Sequence, residues 1–189
     1  DLVSLTVDRS VLVPVDSAVI RTSAPFGATL GDGVTVALGY ARRHQRVFSG
    51  SVAAILRDVT GVRLTCLGSL DALARLRVGR SYLDSDLETI ARDLAGQANL
   101  TTGTIRAPVQ LPRLTFDPRQ SALLQLRAAA RRFGIETFSG NDGAFHLTAL
   151  SDAPANFEPT SALEGLLASG ASEKLPLRAA IKAIDRKST

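Results

Sequence analysis

The residues best suited to chemistry are few and lie far apart in the chain. Asp84, Asp86 and Glu88 form an acidic group with the carboxylates that a cation site or a catalytic pair would use. Ligand oxygens do not recur around them at the spacing of a calcium loop. Acids in the first turn of a helix are stabilised by the helix dipole, so this group indicates a helix start rather than a metal centre.

Two histidines, one cysteine and one glycine-containing turn are the other candidates. His44 lies in an arginine-rich turn and His146 in a predicted strand, which favours solvated or hydrogen-bonded structural roles. Cys66 lies in an apolar run and is predicted to be a buried hydrophobe. One cysteine builds neither a disulfide within the chain nor a zinc cage. The segment Leu30-Gly31-Asp32-Gly33 lacks the further glycine and the following helix of a dinucleotide-binding loop. We therefore expect no catalytic, cofactor-binding or metal-binding residues, no cofactor and no enzymatic activity.

The composition is that of a globular protein. Of the 189 residues, 45% are hydrophobic and 21% are charged, a balance that supports a core without a disulfide or a metal. The 22 basic residues exceed the 18 acidic ones for a net charge of +4, but they are dispersed rather than gathered into a phosphate-binding stripe. No apolar stretch approaches the roughly 20 residues that span a bilayer. We expect neither a membrane partner nor a specific nucleic-acid partner. Because the chain contains no Met and begins with Asp1, we expect it to be part of a longer product.

Residues 1–79 are predicted to form an antiparallel β domain. Apolar and polar residues alternate in segments such as residues 34–38, the pattern of half-buried strands. Gly31-Asp32-Gly33 and Asp58-Val59-Thr60-Gly61 are predicted turns in which glycine accepts a positive φ. Ser49-Gly50 predicts a bulge or a barrel bend. Several short strands with such turns are typical of a small barrel or sandwich.

Residues 80–150 are predicted to hold two capped helices and a hairpin. Ser85 and Glu88 have the spacing of a capping box at the first helix start. The second helix is predicted to begin at Asp117-Pro118, with Gln120 completing its box. The predicted buried stripes are Leu87, Ile90, Ala91 and Leu94 in the first helix and Leu123, Leu126, Ala130 and Phe133 in the second.

The second helix has a predicted end and a predicted hairpin after it. Arg127 and Arg131 occupy its last turns, where cations oppose the negative end of the helix dipole, and Gly134 is the expected stop. Gly140-Asn141-Asp142-Gly143 separates two extended runs and predicts a hairpin turn. Further along, residues 151–161 are rich in Pro, Ser, Ala and Asp and are predicted to form a connector. The apolar run at residues 177–184 fits a strand or a short helix.

Several of these segments, in this order, resemble a known family. The family is that of phage late control D proteins, the baseplate hub proteins of contractile tails, also found as the hub portion of type VI secretion spikes. The resemblance covers roughly Leu30 to Leu150. The segments that carry it are Leu30–Tyr40, Val47–Ile55 with its F-x-G-x-V pattern, Leu73–Arg80, Ser85–Ala95, Leu123–Ile135 and Asp142–Leu147.

The resemblance implies a fold and a role. The fold class is α+β and mainly β, with a small antiparallel, tube-like β-barrel in residues 1–79 and an α/β insert in residues 80–150. A connector and the beginning of a second, incomplete barrel would occupy residues 151–189. The implied protein is a non-enzymatic hub subunit that forms a homotrimer whose barrels make a pseudo-hexameric ring. That ring would join the six-fold tail tube protein to a three-fold central spike protein, with baseplate wedge and tape-measure proteins as further partners. Its place would be the baseplate of a virion tail or a phage-tail-like particle, assembled in the bacterial cytoplasm.

The chain departs from this family at its far end. It stops at Thr189, where the second barrel is only expected to begin, and no spike-like domain follows. An alternative is an independent ligand-binding module, for cell-wall glycan or nucleic acid, built on the two capped helices. A lytic hydrolase is a third class, but no suitable pair of carboxylates supports it.

Overall fold

The protein is mainly β, as predicted, and its largest sheet is curled like half a barrel. The computed structural model describes residues 2–10, 13–23, 27–40, 43–149 and the strand at 178–185. The predicted connector at residues 151–161 lies outside these residues. The strands are β1 Leu2–Asp8, β2 Ser17–Thr22, β3 Gly33–Tyr40, β4 Arg43–Asp58, β5 Gly61–Gly68, β6 Arg80–Asp86, β7 Thr102–Ile105, β8 Gln110–Phe116, β9 Ile135–Ser139, β10 Phe145–Ala149 and β11 Arg178–Asp185. The helices are α1 Asp71–Arg75, α2 Leu87–Gln97 and α3 Ala122–Arg131.

Six strands form the curled sheet in the order β1-β2-β5-β4-β3-β11. Every neighbouring pair in it is antiparallel. The apolar residues of alternate positions meet on one face and form a core, because successive side chains of a strand point to opposite faces. This sheet core contains Ala18, Ile20, Ala28, Val34, Val36, Phe48, Val52, Val62, Leu64 and Cys66. The predicted small barrel stays a prediction, and the run at residues 177–184 is largely strand β11, paired with β3.

The two predicted turns at residues 31–33 and 58–61 are confirmed. Gly31 has φ +88° and Gly61 has φ +140°, backbone conformations that a β-carbon disfavours. Gly61 also lies against the backbone of Thr22, where an added β-carbon would come within 1.9 Å of the carbonyl oxygen.

Of the two alternatives predicted at Ser49-Gly50, the bulge is absent and the barrel bend stays a prediction. The register of β4 shifts on either side of these two residues, at Val47 against β3 and at Ala53 against β5. Gly50 is instead a close-approach glycine, because an added β-carbon there would lie 2.1 Å from the carbonyl oxygen of Leu67. The all-strand reading of the first 79 residues also missed α1, a helical turn that buries Leu73.

The α/β segment, residues 69–149, packs its helices and short sheets around a second core. The α2 stripe predicted from the sequence is confirmed, since Leu87, Ile90, Ala91 and Leu94 are all fully buried. In α3, Leu123, Leu126 and Ala130 are buried as predicted, but Phe133 is 48% exposed. Phe133 was placed wrongly because α3 ends at Arg131, and the helical period no longer applies beyond it. Gly134 follows with φ +68°, the conformation expected at a helix stop.

Both predicted capping boxes were wrong by one to four residues. The Ser85 hydroxyl donates to the Leu83 carbonyl at 2.9 Å, and Asp86, the last residue of β6, caps α2 instead, with its carboxylate accepting from the Thr89 N–H at 2.6 Å. Ser121 caps α3 and accepts from Leu124. Asp117 belongs to a preceding turn, where its N–H donates to the Gln125 side chain at 2.7 Å. The two residues predicted as caps therefore make other hydrogen bonds, Ser85 to Leu83 and Asp117 to Gln125.

Two small sheets complete the α/β segment. Strands β6 and β8 form an antiparallel ribbon, and β7, β10 and β9 form a three-stranded sheet in which β7 and β10 are parallel. The predicted hairpin at residues 140–143 is confirmed, since it joins the antiparallel strands β9 and β10. Among the helices that the structure describes, none has the length and apolar character needed to cross a membrane.

Replacing Leu126 by Asp should unfold the α/β segment. Leu126 is fully buried in α3, so the change places an unpaired charge in the core and should cost more than about 3 kcal/mol. The matched control is Leu124→Asp on the same helix, where the side chain is 52% exposed. Urea unfolding followed by circular dichroism should show a large loss for the first variant and little change for the second. Equal stability of the two variants would show that the α3 stripe is misassigned.

Candidate assembly surface

The curled sheet has two outermost strands, β1 and β11. Each pairs on one side only within the described part of the chain, β1 with β2 and β11 with β3. Backbone N–H and C=O groups along an open edge can pair with another chain. Six strands in an unbroken antiparallel series put β1 and β11 in opposite directions. A β11 edge set beside the β1 edge of an equally oriented copy therefore continues the antiparallel pattern.

Beyond a register shift near its start, the exposed edge at β1 carries little that would prevent pairing. Its sequence has no proline, glycine or lysine, and its one charge, Asp8, is at its end. Val3 is the extra residue of a register shift against β2 and is 63% exposed. Leu2 is 38% exposed on the face where Leu5 and Val7 pack against the sheet core. The β1 edge therefore presents backbone N–H and C=O groups that pair with no other described strand, together with exposed apolar side chains.

The ribbon β6–β8 is built differently. Pro112 lies within β8 and lacks a backbone donor, and Asp84 within β6 has φ +43°. A proline and a residue in the left-handed region both interrupt regular pairing along an edge. The described chain therefore protects the edges of its α/β ribbon and leaves that of β1 without such residues.

A single arginine fastens the α/β segment to the sheet. The Arg9 guanidinium donates to the Asp16 carboxylate at 3.0 Å, to the Val47 carbonyl at 2.8 Å and to the Ser139 carbonyl at 2.7 Å. It also donates to the side-chain oxygen of Asn141 in the hairpin turn. Ser139 donates its hydroxyl to the same Asp16 carboxylate at 2.5 Å. We call these five residues the Arg9 clamp.

The Arg9 clamp uses an irregularity of the sheet. Val47 is the extra residue of the β3–β4 register shift, and its carbonyl accepts from Arg9. Gly143, in the hairpin turn, lies against Ser49 on β4, where an added β-carbon would come within 3.3 Å of the serine side chain. The hairpin therefore packs onto β4 beside the clamp and fixes which end of the sheet the α/β segment covers.

Beside the clamp, His146 is a structural residue, as the sequence predicts. It is 8% exposed and stacks on Phe138 with ring centroids 5.0 Å apart. Its Nδ1 accepts from the Thr104 N–H at 3.0 Å, so the neutral ring carries its proton on Nε2. Burial lowers the pKa of His146, and the nearby Asp142 carboxylate opposes that shift. Gly103 packs so closely that an added β-carbon would lie 2.3 Å from the ring.

The remaining sequence candidates lie apart from one another. Cys66 is fully buried, as predicted, and burial raises the pKa of its thiol to about 11, so it is not a reactive thiolate. His44 is exposed on β4. Within the described residues, no group of three or more His, Cys, Asp or Glu side chains is placed to hold a metal ion.

A shallow recess lies at the start of α2, where the acidic group is. Its volume is about 390 Å³, and it is lined by Asp86, Glu88, Thr89, Arg92, Pro108 and Gln110. Its polar groups already have partners, because Asp86 caps the helix and Glu88 pairs with Arg92 at 2.7 Å. Asp84 lies outside the lining. Asp86 and Glu88 thus serve the helix start, as their spacing indicates, whereas Asp84 lies within β6.

The chain shares its fold with phage tail proteins. A 43 kDa tail protein of prophage MuSo2 from Shewanella oneidensis superimposes with a TM-score of 0.57 at 14% identity, over 76% of this chain and 49% of its own. A tail protein from Neisseria meningitidis MC58 gives a TM-score of 0.61 at 16% identity, over 79% of this chain and 47% of its own. The chain thus spans about half the length of each neighbour. The sequence matches no protein-family model and no curated protein.

Removing the Arg9 guanidinium should loosen the α/β segment from the sheet. Arg9→Met keeps the aliphatic stem but strips donors from the partly buried Asp16, which should cost about 2 kcal/mol. The control is Arg77→Met, because Arg77 donates only to the nearby carbonyls of Ala74 and Leu76. Hydrogen exchange should rise in residues 139–143 for Arg9→Met alone. Unchanged protection there would contradict the role of the clamp.

Acid should destabilise the fold through His146. Burial holds the pKa of His146 below its ordinary value of about 6.5. As the pH falls, His146 is therefore protonated in the unfolded chain before it is protonated in the folded chain. The free energy of unfolding is therefore unaffected by His146 above about pH 6.5, and it decreases as the pH drops below that value. Urea unfolding of His146→Gln between about pH 7.5 and about pH 5.5 should lose less stability than the wild type. The exposed His44→Gln should behave as the wild type, and equal pH slopes in all three proteins would refute the assignment.

Proposed function

We propose that the chain is a structural subunit of a phage tail or contractile injection system, and specifically of the baseplate hub. Three copies form a ring that joins the six-fold tail tube to a three-fold central spike, without catalytic turnover. The fold likeness to two tail proteins supports the tail setting. The observation that carries the proposal is the pair of open, oppositely directed edge strands on one curled sheet.

The proposed ring forms by edge pairing. The β11 edge of one copy meets the β1 edge of the next, so that the antiparallel series runs on through the contact. Such a contact is head-to-tail, and head-to-tail contacts close into rings when the rotation between copies closes. Curvature of the sheet supplies that rotation. A second barrel, in the remaining length of a hub protein, would supply further sheet to the same ring.

The structure favours this role over the ligand-binding alternative. A binding module on the two capped helices needs a cavity with convergent unpaired polar groups. The recess at α2 is shallow, and the carboxylates that line it are engaged in the helix cap and in an ion pair. The open sheet edge is therefore the stronger feature of the described residues.

Adding a charge at the β1 edge should weaken self-association. Val3→Lys places an ammonium group beside the backbone groups that would pair, the device by which natural proteins block edge pairing. We expect the dissociation constant of the oligomer to rise by about ten-fold or more, equivalent to roughly 1.4 kcal/mol. Light scattering of the full-length protein, with and without purified tail tube protein, measures the change.

The matched control is Leu83→Lys on β6. Leu83 and Val3 are both 63% exposed, so the two changes are made at positions of equal relative exposure. The β6 variant should keep the oligomer and the binding to tube protein. A wild-type protein that stays monomeric at micromolar concentration and ignores the tube would overturn the proposal.

A further inference from the structure

A second exposed surface lies on the outer face of the sheet, at the β4–β5 hairpin. Leu56, Arg63 and Arg21 lie directly opposite one another on β4, β5 and β2. All three are exposed, Leu56 by 57%. Val59, in the turn of the hairpin, is fully exposed. We call these four residues the hairpin surface.

The two arginines of the hairpin surface are an unfavourable arrangement in the isolated chain. Like charges directly opposite on neighbouring strands destabilise a sheet. Among the described residues, no carboxylate lies within ion-pair distance of Arg21 or Arg63. Asp58 acts on Arg21 only over a longer distance, because its carboxylate accepts from the N–H and hydroxyl of Thr60 within the turn. A negative partner would convert this repulsion into attraction.

The exposed apolar residues of the hairpin surface, Leu56 and Val59, are also unusual. Turn positions favour Gly, Asn, Asp, Ser or Pro, and this turn places Val59 at its tip instead. Val59 is fully exposed and Leu56 is 57% exposed, so these two side chains contribute little buried apolar area to the stability of the fold. Arginine is among the residues enriched at protein interfaces, and the exposed Leu56 and Val59 add apolar area beside the two arginines.

We propose that the hairpin surface docks a separate protein that presents carboxylates around an apolar side chain. A second copy of this chain fits less well, because it carries a net charge of +4 and five of its described carboxylates already pair with arginine. These are the carboxylates of Asp16, Asp71, Glu88, Asp93 and Glu136. Nucleic acid fits poorly as well, since two arginines supply too little positive charge to hold a phosphate backbone, and the four residues of the surface include no aromatic ring for stacking.

This surface is distinct from the β1 and β11 edges and does not depend on the proposed ring. Edge pairing uses backbone groups along the side of the sheet, whereas the hairpin surface uses side chains on its outer face. A protein that forms no ring can still bind an acidic partner there. Failure of one proposal therefore leaves the other standing, and the two are measured separately.

The test uses defined acidic probes with the full-length protein. A fluorescent peptide of alternating Glu and Leu is compared with a pure Glu peptide and with a DNA duplex by fluorescence anisotropy. We expect the Glu–Leu peptide to bind best, and the double variant Arg21→Gln/Arg63→Gln to weaken its binding by about ten-fold. Val59→Ser should remove the advantage of the Glu–Leu peptide over the pure Glu peptide.

The control variant is Arg113→Gln/Arg119→Gln, which removes two exposed arginines of the α/β segment. It should bind the Glu–Leu peptide as the wild type does. Equal weakening by the control, tighter binding of the duplex, or no binding of any acidic probe would each overturn the proposal. Thermal unfolding gives a second readout, because removing like charges that lack partners should keep or raise the melting temperature. A melting temperature that falls in Arg21→Gln/Arg63→Gln would show that these arginines stabilise the fold itself, and would also overturn it.

Discussion

The Arg9 clamp is the interaction on which the rest of the architecture depends. One planar guanidinium donates to acceptors on the β1–β2 connection, on the β4 register shift and on the β9–β10 hairpin, segments far apart in sequence. Arginine suits this position because its donors form a rigid fork, whereas a lysine would offer one compact charge. The partly buried Asp16 carboxylate accepts from both Arg9 and Ser139, so removing the guanidinium leaves a charge with fewer partners.

Fixing the α/β segment at the hairpin end of β9–β10 leaves the sides of the curled sheet open. A helix or loop laid over an edge strand is one way to hide its backbone groups, and in the described residues the α/β segment covers neither β1 nor β11 that way. The ribbon β6–β8 shows a second way to protect an edge strand, since Pro112 and Asp84 interrupt its strands. An open edge on one sheet and interrupted strands on another, within the described residues of a single chain, fit the proposal that the first is used for pairing.

Sequence patterns anticipated the features that depend on neighbouring residues. The α2 stripe, the turn at residues 58–61 and the hairpin at residues 140–143 follow from periodicity and turn chemistry and are present. The helix caps were missed because the Ser85 hydroxyl donates to the Leu83 carbonyl, and because a side chain from within α3, Gln125, bonds to Asp117. The clamp joins Arg9 to Ser139 across 130 residues, and no local pattern marks such a contact. An arginine between a strand and a turn gives no signal of its own.

The two proposed surfaces divide assembly between two kinds of chemistry. Backbone pairing at a strand edge accepts almost any extended partner, so it sets geometry but discriminates weakly. Opposed arginines beside an exposed valine discriminate by charge and shape, because partners without carboxylates meet a repulsive pair. The clamp holds the α/β segment on β4 at Val47 and Ser49, whereas the hairpin surface lies at the far end of the same strand. A rigid β4 therefore carries both, and loosening one end need not alter the chemistry of the other.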